Sequence, residues 1–359
     1  MTDVTTAATR RRPNTKLLGG LAGLACLTLL SGCFNTAATP QANQGGGQRI
    51  ALAMLQPPRS GLTPLSDDAF KLSRWATAEA LIMLDANGEA QPGLATEWKQ
   101  TSPTVWVFNL RKGVKWQDGS PFTADDVVFS ILRAQQDTSN MKVYAVPLGK
   151  PRKIDDFTVE FTTPVPNPVM IDMVSSGNIF IMSKAWAIKH KVEKPLNHRN
   201  GEETYASKNA MGTGPYMLVS REPDVKTVLK KNPNWWGIAE GRFEGNVDEV
   251  VYRPIKQAST RVAALLSGEI DFVLDPPVQD IQKLKQEKSL KVLEGRENRV
   301  IFIGMDQARD QLLYGNVKGK NPFKDRRVRL ALYQAVDVNA IKTTVMRGLS
   351  IPTAIQLSS

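Results

Sequence analysis

Residues Val105 to Arg133 read VWVFNLRKGVKWQDGSPFTADDVVFSILR. Trp106, Phe108 and Leu110 alternate with Val105, Val107, Asn109 and Arg111, the period of a strand with one buried face. A chain reversal follows at Gln117-Asp118-Gly119-Ser120-Pro121, where Asp, Gly and Pro supply turn geometry. Thr123 then stands three residues before Asp126 and ahead of the apolar Val127, Val128, Phe129, Ile131 and Leu132. That spacing predicts a helix opened by a capping box with Asp in place of Glu, and Asp125 and Asp126 also meet the positive end of the helix dipole. Adjacent carboxylates are used in acid–base chemistry. Neighbours in the first turn of a helix point apart, however, and capping accounts for both. The stretch therefore predicts strand, tight turn and capped helix, with no catalytic role.

Outward from this stretch, the chain of 359 residues is long enough for at least two domains. Its 42% hydrophobic and 23% charged residues are those of a globular protein. The formal net charge is +11, of which residues 1–32 hold +3 through Arg10, Arg11, Arg12 and Lys16 against Asp3, leaving +8 for the rest. No basic run interleaved with aromatics occurs, so the charge predicts a solvated surface biased toward anionic membrane and no nucleic-acid partner. Arg10 to Lys16 forms a cationic run, and Leu17 to Leu30 is apolar but too short to span a bilayer. Together they predict a leader over residues 1–32 that follows the general secretory route. Pro13-Asn14-Thr15 fits the twin-arginine pattern poorly. The leader closes on Leu30-Ser31-Gly32-Cys33, which resembles a lipobox, so Cys33 is the expected lipidation site and the new first residue. The other cysteine, Cys26, lies inside the leader, and the mature chain is expected to have no disulfide. Residues 33–48 are mostly small, polar and uncharged, as flexible tethers are. Acylation would hold the folded part at a membrane surface.

In the body of the chain, Arg49 to Leu55 reads as a buried strand and Asp67 to Leu84 as a helix followed by a turn at Asn87-Gly88. Ile154 to Phe161 alternates as a strand. Met211-Gly212-Thr213-Gly214-Pro215-Tyr216 has a glycine pair but lacks the lysine and hydroxyl residue of a phosphate loop. The tandem Trp235-Trp236 predicts core packing ahead of ligand stacking. Thr260 to Asp271 reads as a helix with Val262, Leu265 and Leu266 on one side and Gly268 as its C-cap. Asp337 is expected to cap a helix over Asn339 to Met346. No nucleophile elbow, zinc-protease pair or Cys-x-x-Cys motif is present. The two histidines, His190 and His198, sit in polar surroundings and predict surface positions without a metal. An enzyme is therefore not expected, nor any cofactor. A membrane-anchored hydrolase or scaffold is the competing class, and the missing nucleophile–base pair weighs against the hydrolase.

Six segments in order carry a family resemblance. They are Pro92-Gly93-Leu94-Ala95-Thr96-Glu97-Trp98, the opening stretch with its Asp-Gly-Ser-Pro and Thr-Ala-Asp-Asp-Val, Gly212-Thr213-Gly214-Pro215-Tyr216, Asn232-Pro233-Asn234-Trp235-Trp236, Ala264-Leu265-Leu266-Ser267-Gly268-Glu269-Ile270-Asp271, and Pro322-Phe323-Lys324-Asp325 with Val328-Arg329-Leu330-Ala331. The chain from about Arg49 to Pro352 resembles the bacterial extracellular solute-binding proteins of family 5, receptors of ABC importers. Trp235 replaces a tyrosine of that family pattern.

The resemblance implies an α/β fold of the periplasmic-binding-protein type II, a two-lobed clamp with an extra subdomain on the first lobe. Carried onto this chain, lobe I would span 49–298 with the subdomain at about 82–204, and residues 299–359 would begin lobe II. It further implies a monomeric, exported receptor that captures di- or oligopeptides and delivers them to an ABC permease and its ATPase subunits. A nickel chelate, haem or a sugar is an alternative cargo. The expected ligand positions are Gln56, Arg59, Tyr144, Ser176 and Asp306, placed by position and without motif residues of their own. Relatives are expected to run well past Ser359. The second lobe is accordingly expected to be incomplete, as in a truncated product or fragment, and unable to close a full cleft.

Overall fold

The structure, a computed structural model, describes residues 3–10, 48–54, 76–85, 87–175, 179–196, 204–242, 246–297 and 300–353. Its strands begin with β1 (Asp3–Arg10), β2 (Gln48–Met54), β3 (Ile82–Leu84), β4 (Ala90–Pro92), β5 (Ala95–Ser102) and β6 (Val105–Leu110). They continue with β7 (Lys150–Asp155), β8 (Thr158–Thr162), β9 (Tyr216–Glu222), β10 (Lys226–Lys231), β11 (Val247–Pro254), β12 (Phe272–Leu274) and β13 (Leu290–Glu297). The longer helices are α1 (Ala124–Ala134), α2 (Ala258–Ser267) and α3 (Arg326–Ala335). The chain is thus mixed α/β. It divides into two compact units, residues 40–254 and residues 1–39 with 255–359.

Within the unit 40–254, β5, β6, β8 and β7 form an antiparallel sheet in that order. β6 buries Trp106, Phe108 and Leu110 and turns Val105, Val107 and Asn109 outward, the alternation expected from its sequence. Phe108 meets Phe161 of β8 edge to face, 5.4 Å between ring centres. Each such aromatic buried from water stabilises the fold by about 2 to 3 kcal/mol. α1 lies against β7 and β8 and buries Ala124, Val127, Ile131 and Ala134 at spacings of three and four. Its opening follows the sequence reading, since the Asp126 carboxylate accepts from the Thr123 amide at 3.0 Å. The turn between strand and helix is held by Trp116 N–H to the Ser120 carbonyl, 2.8 Å, and by Asp118 accepting from the Ser120 amide, 3.0 Å. In the same unit β2 runs parallel to β11, while β10 is antiparallel to both β11 and β9.

In the other unit β1 lies between β13 and β12, antiparallel to each. α2 ends at Gly268 in the left-handed region, φ +79°, as its C-cap position demands. Asp337 accepts from the Asn339 and Ala340 amides, the expected cap. The residues that follow wind as Val338–Ala340 and a π-turn at Ile341–Val345.

Two local readings are corrected. Of the expected helix over Asp67 to Leu84, residues 67–75 lie outside the described residues and the rest is not helical, because Ala76 to Leu81 is irregular and Ile82–Leu84 is β3, paired with β4 across the Asn87-Gly88 turn. The Ile154–Phe161 run is not one strand but the middle of a hairpin, reversed where the Asp155 carboxylate accepts from the Phe157 amide at 2.7 Å. An Asx turn with only Asp155-Asp156-Phe157 around it leaves the apolar alternation intact on both sides, which hides it in the sequence.

Candidate functional site

Two of the six resembling segments hydrogen-bond one buried carboxylate, and two more are joined to them through Arg111. Glu79 lies in the irregular run before β3, where a short acidic residue among alanines carries no signal. Its Oε1 accepts from Trp235 Nε1 and its Oε2 from Trp236 Nε1, each at 3.0 Å. The Thr213 side chain also bonds to it. Its carbonyl accepts from the Ile181 amide at 3.0 Å.

The indoles are aimed by Asn232, whose side chain donates to the Gly214 carbonyl at 3.0 Å and accepts from the Asn234 amide at 3.1 Å. Trp235 is buried, as its core reading required. Beyond Trp236, the Arg111 guanidinium stacks on the ring at 3.9 Å and donates through Nε to the Gly93 carbonyl at 3.0 Å. Arg242 approaches the same ring at 4.9 Å and donates to the Pro92 carbonyl at 2.8 Å. Glu240 pairs with both arginines.

Burial pushes the Glu79 carboxyl above its ordinary value, against the opposing pull of the Thr213, Trp236 and Trp235 hydrogen bonds and the Arg111 charge. Burial likewise lowers Arg111, with Glu240 opposing. Both carboxylate oxygens are engaged, so the arrangement fastens segments together and presents no free acid or base.

The glycine pair has a packing cause. A Cβ on Gly212 would stand 1.8 Å from the Thr77 carbonyl oxygen, and one on Gly214 2.3 Å from that of Ala76. The Gly214 and Tyr216 amides donate to the Thr77 and Ala76 carbonyls, so the segment lies against residues 76–78 and is no phosphate loop. Gln117 locks it to the strand–turn–helix stretch through Gly212 and Tyr216, at 3.2 and 2.9 Å.

Of the sequence-derived positions, Cys33, Gln56, Arg59, Ser176 and His198 lie outside the described residues. Tyr144 is 43% exposed in the helical turn Lys142–Ala145. Asp306 accepts from the Ala308 and Arg309 amides at 3.0 and 3.2 Å and pairs with the Arg309 side chain, which holds its carboxyl below the ordinary range. Tyr144 and Asp306 belong to different compact units. His190 stacks on Tyr205 with ring centres 4.0 Å apart, half-buried beside Trp186. Among the described residues no group of three His, Cys, Asp or Glu side chains could hold a metal, and no helix is long and apolar enough to cross a membrane. A hollow of about 750 Å³ opens beside β6, lined by Glu97, Asn109, Lys112, Asp155, Asp156 and Phe157 among others, and contains none of the sequence-derived positions.

The model of the bacterial extracellular solute-binding proteins, family 5, matches residues 89–355. The periplasmic oligopeptide-binding protein OppA of Salmonella typhimurium is 29% identical over 76% of this chain and 50% of its own length. The fold is similar to that of the oligopeptide-binding protein AppA of Bacillus subtilis, solved with a nonapeptide, at a TM-score of 0.70 and 22% identity over 87% of this chain and 58% of that one. It is also similar to NikZ of Campylobacter jejuni, solved with Ni(L-His), at a TM-score of 0.67 and 22% identity over 86% and 57%. The chain spans about half the length of the curated relatives it matches. With three quarters of its residues under the family model, the chain belongs to the bacterial extracellular solute-binding proteins of family 5.

Proposed function

We propose that this protein is the solute-binding component of an ABC importer, exported, lipid-anchored through Cys33 and capturing di- or oligopeptides for its permease. The observation that carries the reading is the family match over residues 89–355. Family members are binding proteins and not enzymes. The peptide cargo is supported by a relative described as oligopeptide-binding and by a similar fold solved around a nonapeptide. In this reading lobe I comprises residues 49–298 with a subdomain at about 82–204, and lobe II begins at 299. Gln56, Arg59, Tyr144, Ser176 and Asp306 are the positions proposed to approach the ligand, and the receptor acts as a monomer.

An extended peptide would be held by main-chain hydrogen bonds and by charge pairs at its termini, with the closed, liganded state presented to the permease. Uptake of a radiolabelled tripeptide by cells with and without the gene tests the importer role. Loss of uptake on deletion, restored by the wild-type gene, is expected. Undiminished uptake of every peptide tried, alongside lost uptake of a nickel–histidine chelate or haem, would replace the peptide cargo with that solute.

A further inference from the structure

Residues 184–194, within the 40–254 unit, read KAWAIKHKVEK, four lysines against Glu193 alone. Ser183 caps the short helix Lys184–Lys189 by accepting from the Trp186 amide at 3.2 Å, and the helix buries Ala187. Lys184, Ala185, Ile188 and Lys189 are exposed, and residues at these spacings share one side of a helix. Ile188, 52% exposed, thus has Lys184 one turn before it and Lys189 next to it. Lys191 and Lys194 follow, both exposed. Lys184 pairs with Asp125 at 3.6 Å, whereas Lys189, Lys191 and Lys194 make no ion pair among the described residues. Beside the helix, Tyr205 stacks on His190 at 4.0 Å, approaches Trp186 at 5.7 Å and is still 46% exposed.

The backbone that carries these lysines is fixed from the protein side. Arg133, buried at the end of α1, donates through Nε to the Val192 carbonyl at 3.1 Å and through Nη2 to the Lys194 carbonyl at 3.0 Å. Its Nη1 has no hydrogen-bond partner among the described residues, and Glu193 acts on it only through its charge. A cation buried on carbonyls is screened less than one in water, so its field adds to that of the lysines above it.

We propose that this face, Lys184 to Lys194 with Tyr205, docks on the anionic headgroups of the membrane to which the protein is anchored. The occupant follows from charge complementarity. Unpaired lysines around an exposed isoleucine and an exposed tyrosine match lipid phosphates lying over acyl chains, where aliphatic and aromatic side chains enter the headgroup layer and lysines reach out to phosphate. Each lysine near an anionic surface shifts the docked-to-undocked ratio about fivefold, and the three unpaired ones together about a hundredfold. That bias orients a protein already held by its acyl chains. The inference rests on the reading of Cys33 as the lipid anchor, which is checked separately below.

Spin labelling of the protein extracted from membranes and reconstituted into phosphatidylcholine vesicles, with and without phosphatidylglycerol, tests the face. In the acylated chain Cys33 is blocked, so Ala185→Cys supplies the one thiol for a nitroxide, and Thr101→Cys, exposed on β5, supplies the control. With phosphatidylglycerol present, the label at 185 is expected to collide several-fold less with a water-soluble nickel chelate, while the label at 101 is unchanged. Molar salt should abolish the difference. So should Lys189→Glu, Lys191→Glu and Lys194→Glu combined, all exposed positions, in a protein that still melts cooperatively. Flotation with neutral vesicles reports the anchor by itself. A protein that fails to float there refutes the anchor, and the face is then read from flotation with anionic vesicles at low ionic strength, which the triple variant must lose. The proposal is overturned if the label at 185 is equally accessible in both kinds of vesicle or if the triple variant is protected as well as its parent. Without an anchor, it is overturned if parent and triple variant float alike.

Discussion

Glu79 accepts one indole N–H on each carboxylate oxygen. Glu79→Leu would remove both of these hydrogen bonds, at about 1 to 3 kcal/mol each, so a loss near 3 kcal/mol is expected in chemical denaturation. The cause is directional and not a matter of volume, since leucine fills most of the space. Protonation gives a second test. Burial holds the Glu79 carboxyl above its ordinary value, so the folded state keeps that proton over a range where the unfolded chain has released it. Its contribution is fully present below the ordinary glutamate value and is lost as pH rises through the raised one. A melting-temperature profile from mildly acidic to neutral pH should contain a falling component that Glu79→Gln lacks. An identical slope in both proteins would show that the carboxyl is ionised throughout.

At the scale of elements, the fold rests on close approaches that only small residues allow. Gly214→Ala would drive a methyl group to 2.3 Å from a backbone oxygen, and neither partner is a flexible side-chain end. Overpacking of this kind costs about 2 to 3 kcal/mol. Because the segment is bonded to residues 76–78 and to Gln117, the variant should also accelerate hydrogen exchange in both. Asp126→Ala should be costly as well. That carboxylate closes the N-terminus of α1 while accepting from Trp116 Nε1 at 3.3 Å and from the Lys184 amide at 2.8 Å, three bonds of which the sequence announced only the first.

The contrast marks what was legible. Period-two alternation gave β6, the capping box gave α1 and glycine gave the end of α2, because each is decided within a few residues. Glu79 carries no sequence signal because the hydrogen-bond partners of its side chain lie 134 or more residues away. The β7–β8 turn was missed because a single Asp155 bond reverses the chain without glycine or proline. The helix carried through Ala76–Leu81 was wrong for a related reason. Alanine-rich sequence favours a helix locally, but the amides of Gly214, Tyr216, Leu94, Ala95 and Ile181 claim carbonyls of this run that a helix would use itself.

At the scale of the whole molecule, two properties follow from the proposed role. Anchoring through Cys33 predicts that Cys33→Ser moves the protein from the membrane fraction to the soluble one with its fold unchanged, since acyl chains alone supply the membrane affinity. Capture of solute predicts stabilisation by ligand. The most direct measurement is calorimetric titration of the protein purified from its own membranes with defined tri- to pentapeptides, paired with thermal melts. The account predicts saturable binding of one peptide per protein, and a rise in stability of about 2.7 kcal/mol at a hundredfold excess over the dissociation constant. Absence of heat and of any melting shift with peptides up to millimolar concentration, from protein whose melting is cooperative, would contradict it.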